Sequence, residues 1–262
     1  MIILKMKIQI PGFFSYFTLT RKRDKGIKLL IILLFLGSTS ISVIAQAIET
    51  IDLKEVPQKK VRKYIESRSI DQMQDFSLIK SSWKKGTNES DFNLREKIFY
   101  LKFKLATVWE CYRHADPVKT WNGKSIKFAL MISKSLNSVT YKNCKFSTEA
   151  DTGQVYFLDL KVMKGLFNIP VAFEITGIDQ DKQIFEFSYI ENNKSLGKQT
   201  IQFFDNGDGR TRIIHRSYFK SGSNVRDALL YPWFHKKFIK EFHRNMRQFV
   251  KHSDSDFTGE II

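Results

Sequence analysis

The chain has 262 residues, enough for one large domain or two small ones, and 43 Lys and Arg against 27 Asp and Glu give a formal charge of +16. Such a balance attracts anionic lipid, nucleic acid or acidic small molecules, or it marks a generally cationic solvated surface. Two cysteines, Cys111 and Cys144, are too few for a disulfide scaffold and lack any metal-ligand spacing. They either pair with each other or stay as two buried thiols.

The first 47 residues read as a secretory signal. Arg21-Lys22-Arg23, Lys25 and Lys28 form a basic flank, Leu29 to Phe35 is an unbroken apolar run, and Ala45-Gln46-Ala47 supplies the small residues a signal peptidase accepts. The wider apolar stretch, 29–44, is interrupted by Gly37-Ser38-Thr39-Ser40 and falls short of the ~20 residues of a spanning helix, so a membrane anchor is the lesser alternative. The 28 residues ahead of it are long for a signal n-region and predict a translation start further in. Residues 1–45 hold seven Lys or Arg and one Asp, so cleavage lowers the formal charge from +16 to +10. The expected location is periplasmic or secreted, which removes nucleic acid from the expected partners.

Residues 48–91 are polar and weakly helical. Pro57 suits a first helical turn, and Val61, Tyr64 and Ile65 make a short apolar stripe. Met73, Phe76, Ile79 and Trp83 predict a second helical segment near 72–83, followed by a loop at Lys84-Lys85-Gly86-Thr87-Asn88. With too few apolar residues for a core of its own, this stretch is expected to pack on the main domain as a helical extension.

From Lys97 the chain alternates, with Phe99, Leu101, Phe103 and Leu105 on one side and Tyr100, Lys102 and Lys104 on the other, which predicts a strand with one wet face. A short helix follows, ended by Asp116-Pro117 and Asn122-Gly123. Strands are then expected at 125–133, 138–146, 153–163, 170–178, 183–191, 197–205 and 210–220. The turns Asp179-Gln180-Asp181, Glu191-Asn192-Asn193 and Asp205-Asn206-Gly207-Asp208-Gly209 are short enough for antiparallel hairpins, which argues against a parallel nucleotide-binding sheet. No strand leads into a glycine-rich phosphate loop, and no cofactor is expected. In the last segment Asn224 and Asp227 resemble a capping box. Tyr231, Phe234, Phe238, Phe242, Met246 and Phe249 then recur at intervals of 3, 4, 4, 4 and 3 along one face of a long helix, in which Pro232 predicts a bend or restart. Residues 253–262 read as a flexible tail.

Strand, short helical pair, a run of antiparallel strands and a long C-terminal helix is the order of the helix-grip fold. "LATVWECYRHADPVKTW", Leu105 to Trp121, is similar to the element after the first strand in the START-like, polyketide-cyclase and pollen-allergen superfamily, where a Val-Trp pair leads to an Asp-Pro and then a Trp. "GKQTIQFFDNGDGRTRIIHRSYF", Gly197 to Phe219, resembles that superfamily's last hairpin. The resemblance covers about Asn93 to His252, within an expected domain at 92–252. It implies an α+β fold in which a curved antiparallel sheet of about seven strands wraps a C-terminal helix and leaves an apolar cavity. Its members bind lipids, sterols, polyketides or other hydrophobic molecules, some are cyclases or aromatases, and no shared catalytic set exists to carry over. The signal segment and the 48–91 extension depart from that pattern and put its cytoplasmic roles in doubt.

Alternation assigns faces independently. Thr211, Ile213, His215, Ser217 and Phe219 share one side of the last strand, and Arg210, Arg212 and Arg216 mark the other as solvated. The same test sends Tyr156, Leu158, Leu160, Val171, Phe173, Ile175, Phe185, Phe187, Tyr189, Ile201 and Phe203 inward. The candidate ligand wall is therefore Tyr156, Leu158, Phe173, Phe185, Phe187, Tyr189, Phe203, Ile213, His215 and Ser217, facing Tyr231, Phe234, Phe238 and Phe242. A solid aromatic core is the alternative.

His215 and Tyr189 are the acid and base of an enzyme reading, a cyclase or dehydratase; a satisfied core histidine is the other reading of His215. His114 beside Asp116 has the same two sides, a polar functional group or plain helix capping, and His235 and His243 stand eight apart with no third ligand, so no metal is expected. Lys236, Lys237, Lys240, Arg244, Arg247 and Lys251 give the last helix a cationic outer face that suits anionic lipid head groups or plain solvent. The sequence thus points to an exported binder of a hydrophobic or amphipathic small molecule, with the enzyme and a ligand-free cell-envelope module as alternatives.

Overall fold

The computed structural model describes residues 50–144, 149–223, 227–228 and 231–258. The expected signal segment, the Asn224 cap and residues 259–262 lie outside the described residues, while 253–258 of the expected flexible tail continue the last helix. The elements are α1 (Lys59–Glu66), β1 (Asn93–Leu101), α2 (Leu105–Arg113), α3 (Pro117–Thr120), β2 (Ile126–Ser133), β3 (Ser138–Tyr141), β4 (Gln154–Val162), β5 (Phe167–Asp179), β6 (Ile184–Tyr189), β7 (Ser195–Asp205), β8 (Thr211–Ser221) and α4 (Tyr231–Thr258). Among these helices, none is long and apolar enough to cross a membrane.

The eight strands form one antiparallel sheet in the order β1-β8-β7-β6-β5-β4-β2-β3. Short turns carry the chain from β4 to β8 as a meander, and β1 closes against β8, pairing Lys97 with His215 and Leu101 with Thr211. Two bulges, between Phe128 and Leu130 and between Ile175 and Gly177, bend the sheet while keeping its inward residues inward. On the concave side α2, α3 and α4 cover Ile126, Leu158, Phe173, Phe185, Ile201, Phe203 and Ile213. This is the helix-grip fold.

Several local expectations change. The alternation through Phe103 and Leu105 outruns its strand: β1 starts at Asn93 and ends at Leu101, and Leu105 opens α2 behind Lys104. A period of two cannot distinguish a strand end from a helical first turn whose leading residue falls on the same side. β3 is four residues long. The second helical segment near 72–83 is instead two single turns, Ile70–Gln72 and Phe76–Leu78, and an extended piece whose Ser82 N–H donates to Tyr189 O at 2.6 Å. Four apolar residues at helical spacing do not sustain a helix this short against other partners. Of the two expectations for Pro232 the restart holds: it sits in the first described turn of α4, where a proline costs no intrahelical bond. The Asp227 carboxylate accepts from Ser221 N–H at 2.9 Å. Cys111 is buried and Cys144 exposed, and no disulfide joins them.

Residues 50–91 cover the convex face. Val61, Ile65, Ile70, Phe76 and Ile79 bury against Leu130, Ile132, Val155, Phe157 and Ala172, a second core on the opposite side of β2, β4 and β5. Strands buried on both faces explain the unbroken apolar run Phe128 to Ile132. At Gly197 the extension meets the sheet: its N–H donates to Ser82 Oγ at 3.2 Å. Gly197 has φ +134°, and a Cβ there would stand 1.9 Å from Tyr218 O. Gly197→Ala should therefore lower the unfolding free energy by at least about 2 kcal/mol, read as a reduced urea midpoint; an unchanged midpoint would mean that β7 and β8 do not pair as described.

Candidate ligand-binding site

The inner face of α4 is set by residues three and four apart. His235, Phe238, Ile239, Phe242, His243, Met246 and Val250 are all buried there, so the stripe read from the sequence widens to take in two histidines. Trp121 stacks on Phe242 with ring centroids 3.9 Å apart. Polar anchors fix the helix to the α3 loop: Glu241 accepts from Ser125 N–H at 2.9 and 3.1 Å, and Asn245 Nδ2 donates to Thr120 O at 3.0 Å.

Between α4 and the sheet lie three neighbouring voids. A cavity of about 160 Å³ is lined by Tyr189, Tyr231, Phe234, His235, Phe238 and the β5 start at Ile169 to Val171. A second of about 60 Å³ shares Tyr189, His235 and Phe238 and adds Gln199, His215, Leu158 and Phe173. A third of about 40 Å³ lies deeper, among Tyr112, Tyr156, Phe185, Phe187 and Phe242.

One hydrogen-bonded chain runs along these voids. Tyr112 Oη lies 2.8 Å from His243 Nδ1, His243 Nε2 lies 3.0 Å from His215 Nδ1, and His215 Nε2 lies 2.8 Å from Gln199 Oε1. Gln199 Nε2 donates to the Tyr189 hydroxyl at 3.2 Å, and Tyr189 and Tyr231 join hydroxyls at 2.6 Å. His235 Nε2 branches from it to Ser217 Oγ at 3.1 Å and Gln199 Oε1 at 3.3 Å. All three imidazoles are kept neutral. Burial holds His235 down at about 4 and His243 at about 3. Burial, then the neighbouring His243 and His235, push His215 well below the ordinary imidazole range. Burial likewise raises the Tyr189 phenol to about 12.

The structure distributes the sequence-derived candidates over different surroundings. Leu158 and Phe173 line the 60 Å³ void, Phe187 and Tyr189 border two voids each, and His215 lines the 60 Å³ one. Tyr156, Phe185 and Phe242 border the deep one, Tyr231 and Phe234 the largest, and Phe238 the two larger. Phe203, Ile213 and Ser217 share the inward face but belong to the packed layer behind it: Phe203 packs on Trp109 and Tyr112, and Ser217 reaches the site through His235. Tyr112, Gln199, His235 and His243 were absent from the sequence-derived set. Gln199 had a signal, since it falls on the inward parity of Ile201 and Phe203. Lys236, Lys240, Arg244 and Arg247 are exposed and Lys237 partly so. Lys97, on β1, faces Lys240 and Lys236, and partial burial followed by these two charges lowers its pKa.

No family model and no curated protein matches the sequence. Among solved structures, norcoclaurine synthase from Thalictrum flavum, in complex with dopamine and hydroxybenzaldehyde, is 10% identical over 65% of this chain and 94% of its own, with a TM-score of 0.45. A protein from Thermus thermophilus is 9% identical over 62% and 99%, with a TM-score of 0.45. A START superfamily protein from Mycobacterium smegmatis is 9% identical over 61% and 97%, with a TM-score of 0.43. At such values these likenesses give no residue of this chain a role.

The buried imidazoles carry a pH signature. Each is neutral in the folded state and takes up a proton near pH ~6.5 once unfolded, so the stability it preserves is complete above that value and is lost as pH falls toward its folded value of about 4 for His235 and about 3 for His243. Each contributes a slope of about 1.4 kcal/mol per pH unit inside that window. Urea unfolding between pH 6.5 and 5 should report uptake of two to three protons; uptake below one would show that the rings are not buried neutral.

Proposed function

We propose that this chain binds a small, uncharged, largely apolar molecule between the sheet and α4 and performs no chemistry on it. The supporting observation is the largest of the three voids under α4, about 160 Å³, continuous in its lining with the 60 Å³ one and walled by aromatic and aliphatic side chains with a few polar groups held uncharged. An apolar cavity of ~150 Å³ accepts benzene, so the natural occupant is nearer one ring than a long acyl chain. The enzyme reading is disfavoured: both His215 nitrogens are engaged, by His243 and Gln199, and a phenol at about 12 is a poor proton donor near neutrality. A ligand-free module would leave these voids without purpose.

Export of the protein is part of the same proposal, supported by the basic flank and apolar run before Ala47. So is loading at an anionic membrane. Exposed Trp233 adjoins Phe234 of the largest void, exposed Leu166 and Phe167 lie just beyond its Ile169, and Lys236, Lys240, Arg244 and Arg247 surround the helix that forms its roof.

Two measurements test these readings. A one-ring fluorescent or calorimetric probe should bind the protein from Ile48 onward, and Leu160→Trp, which fills the space shared by the two larger voids, should reduce affinity at least tenfold while far-ultraviolet dichroism stays unchanged. Equal binding by that variant would place the ligand elsewhere. Vesicles containing anionic lipid should retain the protein, and Trp233→Asp with Leu166→Asp should release it; retention of that variant would remove the membrane contact.

A further inference from the structure

Counting donors and acceptors along the buried chain leaves one proton over. Gln199 Oε1 only accepts, so the His215 Nε2 that lies 2.8 Å from it carries a hydrogen. Neutral His215 then has a bare Nδ1, and His243 Nε2, 3.0 Å away, donates to it. His243 in turn has a bare Nδ1, which accepts the Tyr112 hydroxyl proton at 2.8 Å. At the other end the Gln199 amide N–H donates to the Tyr189 oxygen. Two phenols own two protons, and one of these bridges the 2.6 Å gap between Tyr189 and Tyr231. The other has no acceptor among the described residues, and both rings border the 160 Å³ cavity.

The two directions of the chain differ in which phenol hydrogen is left over, and the order given places it at the 160 Å³ cavity. Reversing that order requires the Gln199 amide to rotate so that its oxygen accepts from Tyr189, and then His243 donates to Tyr112, whose own proton loses its acceptor. From Tyr112 through His243, His215 and Gln199 to Tyr231, the order given satisfies every donor except the spare phenolic one. An anion entering here would find neutral imidazoles, with Lys194 the cation on the wall among the described residues.

We infer that the cavity takes a ring-sized uncharged molecule bearing a carbonyl or ether oxygen, and that this oxygen accepts the spare proton of the Tyr189–Tyr231 pair. This rests on the binding function proposed above and names the chemistry of its ligand. Either phenol can deliver the proton, because removing one ring leaves the other with a free hydroxyl hydrogen.

The test compares cyclohexanone with methylenecyclohexane, its isostere without the oxygen, in titrations of the wild type, Tyr189→Phe, Tyr231→Phe and the double variant. The preference for the ketone should survive in either single variant and fall about tenfold in the double one. The bound ketone's carbonyl stretch should move to lower frequency in all but the double variant, which keeps the test readable if affinities change through packing. In the ligand-free protein, nitrogen NMR should find His215 and His243 both carrying hydrogen on Nε2. Hydrogen on Nδ1 of both rings would reverse the chain, remove the spare donor and overturn the inference. So would a ketone preference unchanged in the double variant, with binding itself left standing. Failure of both compounds to bind the wild type would instead overturn the binding function, and this inference with it.

Discussion

The arrangement depends on one constraint: α4 brings two histidines, His235 and His243, into a concave face already carrying His215, and all three are buried. An imidazole in such a place must be neutral, and both nitrogens of His215 and His243 and Nε2 of His235 find hydrogen-bond partners. Tyr112 from α2, Gln199 from β7 and Ser217 from β8 supply those partners. The position of α4 is thus fixed by polar complementarity as well as by its aromatic stripe. Sliding the helix by one turn would bury the same hydrophobic area yet leave several donors and acceptors unmet, each at a cost of about 1–3 kcal/mol. Glu241 and Asn245 apply the same discipline on its α3 side.

That constraint also accounts for the voids. Rigid rings around a fixed polar chain cannot all interdigitate, because rotating one to fill space would break a hydrogen bond to its neighbour. Tyr156 is held by Gln154 at 2.7 Å, and Tyr189 by Gln199 and Tyr231. Where no polar partner pins the rings, at Trp109, Phe185 and Phe203, the aromatics close on one another with centroids 4.9 to 6.2 Å apart, and Phe203 borders no cavity. Under α4 the two larger voids therefore lie along the polar chain.

This separation marks how far the sequence could be read. Hairpin turns such as Asp205 to Gly209 and the alternation on both sides of them specify antiparallel strands and their inward residues, because parity is a property of the backbone. Parity assigns a face; it does not assign a void, so Phe203 and Ile213 share a face with Tyr189 and lie away from the cavities. Gln199 is legible as an inward polar residue in an apolar series, but the chain it joins is completed from α2 and α4. No local period connects residues as distant as the hydrogen-bonded Tyr112 and His243, which stand 131 positions apart. The convex core was legible in part: Leu130, Ile132, Val155 and Phe157 are apolar on the parity opposite to the cavity wall. An outer face so apolar requires a cover, and the polar extension before Asn93 supplies it through a few anchors such as Phe76 and Ile65.

The cover does more than bury that face, because its polar contacts converge on the loop that rims the largest void. Tyr64 donates to Asn193 Oδ1 at 2.5 Å, Asn193 Nδ2 donates to Ala172 O at 2.8 Å, Arg68 donates to Asn192 O, and Lys84 pairs with Glu191 at 2.8 Å. Asn193 lines the cavity itself. The rim between β6 and β7 is therefore held from outside the sheet, by a segment with no access to the ligand, while the facing rim at the start of α4 is held from inside by Tyr231 stacked on Phe219 at 3.7 Å. Opening the mouth requires giving up one set or the other. The inner set costs less, since it consists of one ring stack and one hydroxyl pair against several hydrogen bonds and an ion pair.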